Sequence, residues 1–202
     1  MSLIAMHEAP PRTPLKRRRT VAVALVLLAI AALVVALLAR TARDAEEVIG
    51  GGVMESARGL APQFAAHLEK HPGDARAWAI YARLTFARGE YAQSAVAYAR
   101  AVELPGKVAR DPFVWCEYAD ALAMTAGGRL AGKPRELIEH ALALDPKNPR
   151  ALEMAGSAEI EAGNFAAALD YWESLLAVLP ADSPARDELT KAIERTRMRA
   201  GR

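Results

Sequence analysis

Two apolar patterns divide the chain. From Thr20 to Ala39 it reads TVAVALVLLAIAALVVALLA, 20 residues with no charge and no polar face, bounded by Arg19 and Arg40. A helix rises about 1.5 Å per residue, so such a run spans ~30 Å, the hydrocarbon thickness of a bilayer. Beyond His71 the pattern changes. Apolar residues recur there at i, i+3, i+4 and i+7, the period of an amphipathic helix, and no segment alternates with period two. Helices are therefore expected over about 75–88, 91–103, 112–126, 134–144, 149–162 and 165–178, and no sheet.

These six helices form three similar units that begin at Ala75, Pro112 and Pro149, each offset by 37 residues. Their fourth positions hold Trp78, Trp115 and Leu152, their seventh Tyr81, Tyr118 and Ala155, and their eighth the small residues Ala82, Ala119 and Gly156. Pro105, Pro146 and Pro180 close the units. The turn of unit two, TAGGRLAGKP over Thr125–Pro134, holds three extra residues, and three more follow unit one between Leu104 and Arg110. Length is tolerated between helices. The pattern resembles a tetratricopeptide (TPR) array, in which small residues let paired helices approach and aromatics fill the gap to the next pair. A last helix is expected to start with Ser183 as cap and Pro184 in its first turn, run to about Arg199, and cover the final apolar face. The fold class expected is all-α: about three TPR hairpins and a capping helix over 61–199, behind one N-terminal transmembrane helix.

Charge adds an orientation. The net charge is +2, but residues 1–40 carry six Lys/Arg and one acid, and residues 41–202 carry 20 Lys/Arg and 23 acids. Residues 1–19 form a basic arm, with Arg12, Lys16, Arg17, Arg18 and Arg19 before the apolar run and only Arg40 and Arg43 close behind it. The positive-inside rule then leaves the N-terminus in the cytoplasm and the remainder outside, which in a bacterium is the periplasm. A cleavable signal peptide is the rival reading. Its apolar region would be shorter, about 7–15 residues, and followed by a small-x-small site, which Leu37, Leu38, Ala39 and Arg40 fit badly. Residues 40–60, with Asp44, Glu46, Glu47 and Gly50-Gly51-Gly52, read as a tether, and Pro62 suits a first helical position.

Several chemistries are excluded. The bulk of the chain has no basic surplus, which argues against nucleic acid. Cys116 stands alone, so there is no intrachain disulfide framework and no cysteine-based zinc site. His67 and His71 are four apart, but neither they nor His7 and His140 show a third ligand. No phosphate loop, nucleophile elbow or pair of carboxylates in an apolar setting is present, so neither an enzyme nor a cofactor is expected.

A narrower likeness rests on Tyr118-Ala119-Asp120-Ala121-Leu122-Ala123, on Gly127-Gly128 with Leu130, Gly132 and Pro134, on Ala141-Leu142-Ala143-Leu144-Asp145-Pro146, and on Tyr171-Trp172-Glu173-Ser174-Leu175-Leu176. Over roughly residues 60–198 the chain resembles the TPR domain of c-type cytochrome biogenesis proteins of the CcmI/NrfG type, and the extended Gly-Gly turn is the most specific feature. The single anchor with an outside domain is similar to NrfG-like members; CcmI-like members usually carry two membrane helices with a cytoplasmic loop between them. The resemblance implies a chaperone of the bacterial inner membrane, held in the bilayer through residues 20–39. Such a protein grips the C-terminal helical segment of apocytochrome c and delivers it to the haem lyase complex of cytochrome c maturation. TPR geometry puts positions 2, 5, 9, 12 and 13 of each unit on the concave face. The expected groove residues are Arg76, Arg83 and Phe86 from unit one, Phe113, Cys116, Asp120 and Met124 from unit two, and Arg150, Glu153, Ser157 and Ile160 from unit three. The apolar members suit an amphipathic helix, and the arginines suit acidic side chains or a terminal carboxylate. Two alternatives stand beside this: an envelope assembly scaffold for another protein partner, and a thiol-redox protein acting through Cys116.

Overall fold

The computed structural model describes residues 59–201. The basic arm, the apolar run 20–39 and all but the end of the tether lie outside the described residues. Among the described residues no helix is long and apolar enough to cross a membrane. They form helices and no strand: α1 (59–70), α2 (Ala75–Ala87), α3 (Tyr91–Glu103), α4 (Pro112–Thr125), α5 (Lys133–Leu144), α6 (Pro149–Ala162), α7 (Phe165–Val178) and α8 (Ala185–Ala200), with a 3₁₀ turn at Val108–Arg110.

The repeat has a cap that the spacing shares. Asp74, Asp111 and Asn148 precede the three first helices, again 37 residues apart. Asp74 Oδ1 accepts from the Ala77 N–H at 2.9 Å, Asp111 Oδ1 from Phe113 N–H at 3.0 Å, and Asn148 Oδ1 from Ala151 N–H at 2.9 Å. Each thereby satisfies a backbone donor that the helix start leaves open. The fourth-position tryptophans fasten the preceding loop: Trp78 Nε1 donates to Pro72 O and Trp115 Nε1 to Ala109 O, both at 2.9 Å. The second of these bonds holds the three-residue insertion after unit one against α4.

Two expected starts differ from the structure. Residues 59–61 are already helical, so Pro62 lies within α1. Pro184, in right-handed helical conformation, is the cap residue of α8 and has no side-chain bond, while Ser183 offers only its carbonyl, to Arg186 N–H at 3.1 Å. The junction is held by Arg186 instead. Its Nη1 donates to Leu176 O at 2.7 Å and Leu179 O at 2.8 Å, satisfying the open end of α7 and fixing α8 against it.

Within each unit the hairpin partners pack together, α2 on α3, α4 on α5 and α6 on α7, and each hairpin leans on the next through α3–α4, α5–α6 and α7–α8. Side-chain sizes match across the hairpins. Fully buried Ala82 shares a cluster with Tyr98, and Ala119 shares one with Ile138. In unit three the partner is the larger Trp172, and Gly156 makes room: a Cβ there would stand 2.2 Å from Trp172 Nε1. The first cluster joins α2, α3 and α4, the second joins α4, α5 and α6, and Tyr118 and Leu122 on α4 pack against both. Tyr98 stacks on Tyr118, with ring centroids 6.4 Å apart.

The extended turn of unit two is built on Gly127, Gly128 and Gly132, with φ of +71°, +85° and +78°, a region that side chains disfavour. It turns Leu130 into the second cluster. The Leu130 N–H donates to Glu161 Oε2 at 2.9 Å, which ties the turn to the end of α6.

Candidate functional site

The first helices of the three units line clefts that share walls. The first cleft, about 180 Å³, lies among Arg83, Phe86, Tyr98, Glu117 and Asp120. Phe86 and Asp120 also wall the second, about 410 Å³, with Met124, Leu130 and Ser157. Arg150, Glu153 and Ser157 lead on to the third, about 540 Å³, where Phe113 faces Trp172, Leu175 and Leu189. Together they form one groove from α2 to α8.

Its apolar anchors are partly open to solvent. Phe113 is 52% exposed and Met124 41%. Both stand on the groove lining, whereas the more exposed Val96 and Met198 do not. Phe86 is half-buried and meets Tyr91 edge-on, with centroids 5.1 Å apart. Arg83 is ion-paired across repeats, and Arg150 both across repeats and along its own helix. Arg83 Nε and Nη2 each donate to Glu117 at 2.8 Å, a fork that raises the guanidinium pKa further. Arg150 Nη2 donates to Asp120 and Nη1 to Glu153, both at 2.7 Å. Two of the three arginines expected to meet a partner's carboxylates, Arg83 and Arg150, are therefore already matched within the groove.

Arg83, Phe86, Phe113, Asp120, Met124, Arg150, Glu153 and Ser157 are brought together as the repeat geometry implies. Arg76 is not with them. It lines a separate cleft of about 550 Å³ with Phe64, His67, Asp74 and Ile80. Ile160 is half-buried and lines none of the three clefts. Cys116 departs most. It is 1% exposed, in the core cluster with Met154 and Ala158 of α6, because the next repeat covers its face of α4. Burial pushes its thiol up to about 12, which suppresses the nucleophilic thiolate and speaks against a redox role. Cys116 is expected to resist iodoacetamide at pH 8 in the folded protein and to react once urea unfolds the chain. Because burial holds the native thiol up at about 12 while an unfolded thiol keeps its ordinary value of about 9, its contribution to stability is complete below about pH 9 and is lost as pH rises towards 12. Unfolding titrations across that range, set against Cys116→Ala, would show it.

Sequence reasoning missed Tyr98, Glu117, Trp172 and the α8 residues Glu188 and Leu189. The aromatics were legible as repeat positions, but not as groove walls. The pair His67–His71, whose rings lie 4.6 Å apart, turns His67 Nε2 to Asp74 Oδ2 at 3.1 Å, and among the described residues no group is placed to hold a metal ion.

Residues 57–186 match the family model of the cytochrome c-type biogenesis protein H TPR domain. The chain belongs to that family. Relatives of similar sequence occur in several bacteria. The cytochrome c-type biogenesis protein CycH of Pseudomonas aeruginosa is 33% identical over 68% of this chain and 34% of its own length. The CycH protein of Bradyrhizobium diazoefficiens is 30% identical over 92% of this chain and 52% of its own. The CcmH protein of Escherichia coli K12 is 31% identical over 66% and 37%. The chain thus spans between a third and a half of these relatives' lengths.

Proposed function

We propose that this biogenesis-family TPR domain is a chaperone for cytochrome c maturation. It binds the C-terminal helical segment of apocytochrome c in its groove and delivers it to the membrane haem lyase complex. Residues 20–39 anchor it in the bacterial inner membrane with the basic arm in the cytoplasm and the TPR domain in the periplasm. The observation that carries the reading is the pair of exposed anchors, Phe113 and Met124, set along a groove in a member of this family. An amphipathic helix laid in such a groove would bury its apolar stripe on them. Methionine adapts to varied clients, and the tether raises the groove's local concentration near the membrane machinery.

The test is a titration of the full chain, held in mild detergent, with the C-terminal helical peptide of a c-type apocytochrome and with a scrambled peptide of equal charge. Binding to the true sequence alone is expected, weakened about tenfold by Phe113→Ala or Met124→Ala, as for a central anchor. Equal binding to both peptides, or to neither, removes the cytochrome reading.

A further inference from the structure

The groove's charges say more about its occupant. Resting on the groove reading above, we infer that the segment it takes is a cationic amphipathic helix, an apolar stripe edged by Lys or Arg. The walls carry Arg83 and Arg150 against Glu117, Asp120, Glu153 and Glu188. One guanidinium, that of Arg150, faces two carboxylates. Lys191 offsets Glu188 at 2.8 Å from outside the lining. That leaves Glu117, Asp120 and, on α6, Glu153 against Arg83 and Arg150, one carboxylate more than guanidinium. Glu159, on the same helix, is buried and held by Arg135 and Asn164, so it does not count.

The excess of carboxylates sets the sign of what the groove takes. A carboxylate has room for about four hydrogen bonds, and its pair with one arginine leaves acceptor sites open. A guanidinium has five donors, so Arg83 and Arg150 also keep some open, and the sign of the net charge decides between partners. A cationic side chain that joins the existing pairs of Asp120, Glu153 and Glu117 meets an excess of carboxylates, whereas an acidic one is repelled by that excess. Charges arranged this way set partner choice and association rate more than raw affinity, and salt screens them.

Three synthetic helical peptides with one apolar stripe, flanked by Lys, Glu or Gln, are titrated into the full chain in mild detergent at low and high salt, beside the apocytochrome segment. The Lys-flanked peptide is expected to bind about tenfold more tightly than the Glu-flanked one at low salt, with the gap closing at high salt. The double variant Asp120→Asn/Glu153→Gln releases Arg150, and the preference should fall away or reverse in it. Tighter binding of the Glu-flanked peptide, equal binding of all three, binding of none, or a preference untouched by the double variant overturns the inference. Failure of the apocytochrome segment alone, with the Lys preference intact, removes the cytochrome reading and leaves the charge inference standing.

Discussion

Replacing Gly156 with alanine is expected to destabilise the domain by about 1–3 kcal/mol, the usual cost of forcing extra volume into a packed site. Alanine is the better helix former, so propensity alone would have α6 gain from the change. The steric term opposes it, because the new Cβ would fall 2.2 Å from Trp172 Nε1 and 2.3 Å from Cδ1. The indole must leave its place, and with it the weak bond from Nε1 to Glu153 O at 3.4 Å. Urea unfolding should show a lower midpoint with an unchanged slope, and tryptophan emission should shift in the native state. The second repeat suggests the repair. There the corresponding residues are Ala119 and Ile138, both in the core. Gly156→Ala combined with Trp172→Ile should be more stable than the sum of its parts predicts, by about 1–2 kcal/mol of coupling. Strict additivity would show that the two positions do not meet.

Tyr98→Ala is expected to cost more, about 3–5 kcal/mol, as for other buried aromatics. Tyr98 is 2% exposed and belongs to the first cluster, and its ring stacks on Tyr118, which also touches the second. Its loss removes a link between neighbouring units as well as filling from one. In a solenoid each unit is held by its neighbours, so α2 and α3 should then open at lower urea than α4 to α7. Hydrogen exchange resolved by segment would read this directly. If the whole domain still unfolds in one step with uniform loss of protection, Tyr98 is filler and no joint.

The helices were legible because every signal for them is local. Period, proline and glycine punctuation, and the 37-residue offset lie within one or two turns of each boundary. The bounds of the six repeat helices agree with that reading to within one residue. Part of the groove's apolar lining was legible for the same reason: Phe86, Phe113 and Met124 take their direction from the helix that carries them, whereas Ile160 lines none of the three clefts. Two features were hidden because they depend on distant chain. Whether position five is open depends on what covers it: Ala79 and Cys116 are buried there, while Glu153, in the last repeat, is exposed. The charge of the groove depends on partners nearly a repeat away, Glu117 being 34 residues from Arg83 and Asp120 being 30 from Arg150. Read along the chain, those arginines stand free; folded, they are already engaged.

Repeat proteins change size over generations by gaining or shedding whole hairpins. α4 sets which hairpin can go. Tyr118 and Leu122 serve the clusters on either side of it, and so the middle unit is the keystone of the array. A duplication is best accommodated at the ends, where α1 and α8 each cover one flank; excising α4 and α5 would leave two half-cores whose facing surfaces were never shaped for each other.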